Sequence, residues 1–387
     1  MANTMTNLLQ LWLAGAFQSN AVLRNTSNLL RNVSRDFDRQ AMAKGDRVKV
    51  PLPATKTAAA VSPSMTLPTP ADTSNSKVDI VLDQWQYTSF NLTDQELTQI
   101  QQGGFFQQSA VNACIAALVE AVGTHLHTKT HGANGFFGYV GTAATNPFAT
   151  NSDILADAKE VMTNNKSPLS PRVAIINPAA ERAALKLAEF KDASQFGNDA
   201  VKIEGQLRRV MGYDTFVDQQ VPTHTAGTGA GYLINGAGMV TGSTTITVDT
   251  GAGTILAGDI VTFAGVSGTY NVVTALSGAT FTIYPGLAST VADNAAVTVK
   301  ASHAVNVAFH PAAIQLVTRP LMSSVQELIP GQAAGNLIAQ ADMADPEGTG
   351  IIVRASLYRG FGMSAVYFDA LWGAEVVRPE LGCRLAG

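Results

Sequence analysis

Apolar residues at Val111, Ile115, Leu118, Val122 and Leu126 are spaced by three or four, which aligns them on one face of a helix. The spacing predicts a helix over 104–127, the clearest periodic signal in the chain. Upstream, Thr93-Asp94-Gln95-Glu96 has the form of a capping box, in which Thr93 accepts from the Glu96 amide and Glu96 reaches back. Gly103 and Gly104 break or bend that first helix. A second amphipathic pattern runs from Leu8 through Leu13, Val22, Leu23, Leu29 and Leu30 to Val33, with Asn, Ser and Arg between. It predicts a helical arm over 1–45 whose apolar face needs a partner surface. Further along, Ile154 to Met162 reads as a short helix and Arg172 to Ile176 as a buried strand. Asn177-Pro178 reads as cap and first position of a helix running through Glu181 to Leu187.

Elsewhere the period is two. Asp46-Arg47-Val48-Lys49-Val50-Pro51-Leu52-Pro53 alternates polar and apolar, as a half-exposed strand does. Ala54 to Ser76 is Ala/Thr/Ser/Pro-rich and predicts an extended, mobile loop. Lys77 to Tyr87 then predicts a second strand with Val78, Ile80 and Leu82 on one face. Together 46–92 make an outstretched β arm with no core of its own, stable only when laid on something else.

Between two stretches of mixed helix and strand lies a Thr/Gly/Val-rich segment, 223–303. Before it, Glu204 to Val217 reads as helix end, loop and strand; after it, Ala304 to Leu316 reads as a strand running into a helix. Inside it, β-branched runs recur at Thr244–Asp249, Asp259–Phe263, Tyr270–Thr274, Thr280–Tyr284 and Ala296–Lys300, with Tyr232–Ile234 as a sixth candidate. That spacing predicts a small antiparallel barrel or sandwich inserted in a loop of the host domain. Gly350 to Leu357 and Met363 to Asp369 read as two closing strands.

Composition changes this picture in one respect. Charged residues are 14% of the 387, well under the roughly 25% usual for globular domains, while hydrophobic residues are 46%. Burial of surface against other subunits accounts for this, as does a neutral Thr/Ser/Asn/Gln surface; the two coreless arms favour the first. A net charge of −4 excludes a bulk basic field for gripping nucleic acid. The two cysteines, Cys114 and Cys383, are far apart, and Cys114 falls on the helical stripe, so free thiols and folding in a reducing cytoplasm are expected. No uninterrupted apolar run approaches about 18 residues, which predicts no membrane span. Leu8 to Phe17 is apolar but has no basic residue before it, Arg24 being the first, which argues against a cleaved signal.

The order of these elements resembles the tailed-bacteriophage major capsid proteins of the Hong Kong 97-like fold, in the podovirus coat-protein branch with an inserted β domain. The residues that carry the resemblance are Gly45-Asp46-Arg47-Val48-Lys49-Val50-Pro51, Gly205-Gln206-Leu207-Arg208-Arg209-Val210-Met211-Gly212, Gly253 to Val266, and Phe368-Asp369-Ala370-Leu371-Trp372-Gly373. The resemblance spans nearly the whole chain. It implies an α+β subunit made of an N-terminal helical arm (1–45) and an extended β loop (46–92). A peripheral domain with a long spine helix (93–131 and 346–387), an axial domain (132–222 and 304–345) and an inserted β barrel-like domain (223–303) complete it. It further implies self-assembly into hexameric and pentameric capsomers of an icosahedral shell around double-stranded DNA, without sequence-specific binding or membrane contact. A scaffolding protein, a portal and a decoration protein are the implied partners, and the virion, assembled in the host cytoplasm, is the implied location. Other readings are an encapsulin-like compartment of the same fold and a secreted β-rich adhesin.

Candidate chemistry is sparse. His127 and His131 share a helical face as metal ligands do, but no carboxylate or cysteine is near in sequence, and solvated histidines at a helix end are expected instead. His310 before Pro311 reads as a cap. Ser267 lies in Gly265-Val266-Ser267-Gly268, a turn rather than a nucleophile elbow. The glycines of Gly227 to Gly231 and Gly236 to Gly238 lack the following helix and Lys-Ser/Thr of a phosphate loop. Neither an enzyme nor a cofactor nor a metal is implied. Lys49, Lys56, Asp72, Lys77 and Asp79 on the β arm either solvate it or pair with a neighbouring subunit. Asp259, after Gly258 at a strand start, is expected to cap a turn or to pair with a neighbour.

Overall fold

The computed structural model of the chain describes residues 13–15, 28–35, 44–53, single positions between 56 and 65, 76–96, 105–191, 205–235, 238–319, 337–344 and 351–387. The protein is α+β, with strands outweighing helices. One helix dominates, Phe105–His131; at a rise of 1.5 Å per residue it is about 40 Å long. By length and composition its Ser109–His131 portion could cross a membrane, contrary to the sequence expectation. Here Val111, Ile115, Leu118, Val122 and Leu126 are instead buried in the main core. The capping box ahead of it is formed: the Glu96 amide donates to Thr93 Oγ1 (3.2 Å) and the Thr93 amide to Glu96 Oε2 (2.9 Å).

Two sheets sandwich that core. The first is built on the long strand Met363–Val376, which pairs antiparallel with Gln84–Thr93, Ile352–Arg359 and Ile314–Arg319, while Leu337–Ala344 extends the far edge. Its inner face presents Val366, Phe368, Ala370, Trp372 and Ala374 to the long helix. The second, seven-stranded sheet is mixed, with Gly382–Ala386 between Gly138–Gly141 and His303–Phe309, followed by Val173–Ile176, Tyr213–Val217 and Arg209–Val210. Its central strands, Val173–Ile176, His303–Phe309 and Gly382–Ala386, are buried on both faces. Val173, Ile175, Val305 and Val307 face the main core, while Ala174, Ile176, Ala308 and Leu385 face a second one closed by the helix Asp153–Asn164. Asn177 caps the helix Pro178–Ala184 through the Ala180 amide (2.8 Å), as expected.

Segment 223–303 carries a six-stranded sheet of its own, with strands at Leu233–Ile234, Thr245–Asp249, Ile260–Phe263, Tyr270–Ser277, Thr280–Tyr284 and Val297–Val299. Ile246, Val261, Phe263, Val272, Phe281 and Ile283 form a separate core within it. Thr223–His224 pairs antiparallel with His303–Ala304, so the chain leaves the body and returns to it at adjacent positions.

The hairpin Arg47–Pro51/Lys77–Val81 lies back on its own chain. Val48, Val50, Ile80 and Leu82 pack on Val317, Leu371 and Val377, on the outer face of the first sheet. Gly373 makes this possible, because a Cβ there would collide with the Val81 carbonyl.

Several expectations need correction. Ile314–Arg319 is a strand after a single turn at Pro311–Ala313, not a helix. Ile314 and Leu316 face the main core and Val317 the hairpin, so the run is apolar on both faces and loses its period of two. Within 205–217 the structure adds a short strand, Arg209–Val210, to the expected loop and strand, turned into Tyr213–Val217 by Met211 and Gly212, both at positive φ (50° and 93°). The strand expected over Lys77 to Tyr87 breaks after Val81, and its continuation from Gln84 belongs to the first sheet. Gly382–Ala386 sits within the seven-stranded sheet, whereas Ile314–Arg319 and Leu337–Ala344 sit in the first. Sheet membership therefore crosses the segment boundaries read from the sequence. Of the N-terminal arm, Leu13, Leu29, Leu30 and Val33 are buried in this chain's own core rather than left free for a partner.

Candidate functional site

The hairpin covers only one end of the first sheet's outer face. Among the described residues the rest of that face is open and aromatic. Trp85 and Tyr87 are 48% and 67% exposed, and Tyr358, Met363 and Tyr367 are exposed beside them. The strand period of two explains their position: residues 85 and 87, 354, 356 and 358, and 365, 367 and 369 all point away from the helix. They line a groove of about 780 Å³. Tyr367 is the hub, with its ring centroid 6.1 Å from Tyr87 and 5.6 Å from Tyr358. The floor is polar. Arg354 Nε donates to Asp369 Oδ1 (2.9 Å), a second guanidinium nitrogen meets Oδ2, and Trp85 Nε1 donates to the same carboxylate (2.9 Å). This network holds Trp85 in place, and Lys44 lies 5.6 Å above its ring. The sequence reading missed this face, because Tyr and Trp in a strand read equally well as core.

The residues expected on the arm separate. Lys49 and Lys77 are exposed on the hairpin, Lys56 is exposed on the loop, and Asp72 lies outside the described residues. Asp79, half-buried, stands opposite Lys49 in register and 3.6 Å from the exposed Arg47. Asp259 is not on the surface: it is 0% exposed. It does cap a turn, accepting from the Leu256 amide (2.7 Å) and the Gly227 amide (3.1 Å), and it also accepts from His224 Nε2 (2.8 Å). A carboxylate so enclosed has no edge left for a neighbouring subunit.

The helix-end histidines are not solvated either. His127 is buried against Asp218 (Nε2 to Oδ2, 3.2 Å), a carboxylate that also accepts the Leu29 amide and so anchors the arm segment Asn28–Arg31. His131 packs edge-on against His224 with centroids 5.6 Å apart. His224 lies 5.6 Å from His303, and His303 packs edge-on against Tyr139 at 5.1 Å. Arg384, fully buried, donates to Gly258 O (2.8 Å) and Asn271 Oδ1 (3.0 Å) beside this cluster. Burial pushes the Arg384 guanidinium down to about 9. Burial, reinforced by Arg384, pushes His131 and His303 down to about 4. Among the described residues no group of His, Cys, Asp and Glu has the geometry to hold a metal ion. His310 accepts from the Ala312 amide (3.2 Å), as a cap.

With this architecture in place, the chain can be compared with solved structures. It shares its fold with the capsid structure of cyanophage P-SCSP1u, at 12% identity over 92% of this chain and 85% of that one, with a TM-score of 0.51. Other structural neighbours are the mature capsid asymmetric unit of bacteriophage PhiM1 (14% identity, 92% and 85% covered, TM-score 0.47) and a chain from Mycobacterium phage Che8 (13%, 91% and 88%, 0.48). No protein-family model and no curated protein sequence matches the chain.

Proposed function

We propose that the protein is a major capsid protein of a tailed phage, with a structural rather than a catalytic role, which self-assembles into an icosahedral shell enclosing double-stranded DNA. The observation that carries this reading is the fold shared with the cyanophage capsid over 92% of the chain. The open aromatic sheet face supports it. A patch of Trp85, Tyr87, Tyr358 and Tyr367 is what an interface core is enriched in, and a weak contact repeated around a closed shell is multiplied by closure.

In this reading the parts are those of the Hong Kong 97-like subunit, with the spine helix Phe105–His131, the extended loop rising from the Arg47–Pro51/Lys77–Val81 hairpin, and 223–303 as the inserted domain. Lys49, Lys56, Asp72, Lys77 and Asp79 are proposed intersubunit contacts of that loop. Capsomers are hexameric and pentameric; scaffolding protein, portal and decoration protein are the proposed partners. The subunit assembles in the host cytoplasm and resides in the virion. Electron microscopy of the full-length protein, expressed with and without a scaffolding partner, tests the reading. Closed shells that package DNA are the expected result. A monodisperse monomer at every concentration overturns it, and shells filled with a protein cargo point instead to an encapsulin-like compartment.

A further inference from the structure

The inserted sheet meets the body at a buried polar junction. From the long helix comes the half-buried His131; from the body strands come Tyr139, His224, His303 and Arg384; from the insert come Asp259 and Asn271. Lys300 lies over the Tyr139 ring at 5.8 Å, and His127 with its partner Asp218 stands one helical turn behind His131. Bonds cross the seam in both directions. Asn271 Nδ2 donates to Gly132 O (3.1 Å) and Ala133 O (2.7 Å), and Arg384 reaches Gly258 and Asn271. Gly258 is a glycine with φ of +92°, and a Cβ there would strike the His131 carbonyl, so the two backbones touch.

We propose that this junction is a proton-operated latch, which holds the inserted sheet on the body while His131 and His303 are neutral and releases it when they are protonated. Three observations carry the proposal, and none depends on the capsid reading. The first is the tautomer. Nδ1 of His131 lies 2.9 Å from His127 O, and Nδ1 of His303 lies 2.9 Å from Ala301 O. A carbonyl only accepts, so each Nδ1 carries the proton and each Nε2 is the open basic site. Among the described residues, His303 Nε2 is buried without a hydrogen-bond partner.

The second is charge. Asp259 is the junction's carboxylate, and it already faces Arg384 and His224. A proton added from solvent to Nε2 of His131 or His303 is therefore a surplus cation beside a buried guanidinium. The third is that the insert has its own apolar core, so release does not require its sheet to melt. An unperturbed histidine takes its proton near pH 6.5, whereas the closed junction holds both rings down to about 4. Between those values the open form binds more protons than the closed form. The closed form is fully favoured above about pH 6.5, and its advantage is lost as pH falls toward 4.

Hydrogen exchange on the full-length chain from pH 7.5 to 4.5, corrected for intrinsic exchange chemistry, tests this. The Asn271 side-chain amide protons, bonded across the seam to Gly132 O and Ala133 O and followed by NMR, should lose protection below pH 6.5. With two sites taking up protons, the opening constant should rise by up to about a hundredfold per pH unit. Amides in the insert core, at 245–249 and 280–284, should stay protected through the same range. The double variant His131→Gln/His303→Gln should be flat. An equal pH slope in that variant overturns the latch, as does simultaneous opening of seam and insert core. Should the variant fail to fold, proton NMR titration of the wild-type histidine C2 resonances decides. Two rings titrating well below 6 support the latch, and all rings titrating near 6.5 overturn it.

Discussion

Asp259→Ala is the sharpest probe of the fold. It leaves the Leu256 and Gly227 amides and His224 Nε2 without their common acceptor, in a place where the carboxylate is 0% exposed. It also removes the carboxylate whose charge favours the buried Arg384 guanidinium. An orphaned buried donor costs about 1–3 kcal/mol, and breaking a buried pair about 3–5 kcal/mol. These terms overlap, so about 3–5 kcal/mol in total is expected. With an m-value of about 3 kcal/mol/M, the urea midpoint followed by circular dichroism should fall by about 1–2 M. Asp214→Asn is the matched control: its contact with Arg209 is 3.8 Å with both side chains about half or more exposed, and exposed pairs contribute about 0–1 kcal/mol. A midpoint shift for Asp259→Ala no larger than that of the control would refute the reasoning, because the carboxylate would then be replaceable by water.

Tyr87→Ala should change the urea midpoint little, since that side chain is 67% exposed, but on the capsid reading it should reduce shell yield in electron micrographs; normal yield would remove this face from the proposed assembly contacts. Gly373→Val should lift the hairpin from the sheet and speed hydrogen exchange at 47–51 and 77–81 while leaving 352–359 protected; unchanged hairpin exchange would mean that the close approach to the Val81 carbonyl is dispensable. Burial raises the thiol pKa of both cysteines, far more for the fully buried Cys383 than for the half-buried Cys114. Native protein should therefore react with a thiol reagent slowly at Cys114, and at Cys383 only after unfolding; fast labelling of Cys383 in the native state would contradict its burial.

Much of the fold was legible because it follows from local periodicity. The long helix, the Thr93 and Asn177 caps and the insert strands each announce themselves within a dozen residues. Failures came where burial on both faces erased the pattern, as at Ile314–Arg319 and Gly382–Ala386, and where turn chemistry was overlooked at Met211-Gly212. The junction was unreadable for a different reason. His131, His224, Asp259, His303 and Arg384 are spread over most of the chain, and only the three-dimensional fold makes them neighbours. Likewise, nothing in Trp85, Tyr87 or Tyr367 taken singly distinguishes an outward aromatic from an inward one.

The position of Gly382–Ala386 has a consequence for how the protein is made. This strand lies between Gly138–Gly141 and His303–Phe309, and among the described residues Gly138–Gly141 has no other partner in the sheet. On the ribosome, residues 138–141 must wait unpaired until residues 382–386 emerge, while the insert, whose pairings are local, can complete itself in the interval. The body is thus finished from its end backwards. Until synthesis has passed this point, a nascent chain lacks the closed sheet that buries Gly138–Gly141 against Gly382–Ala386.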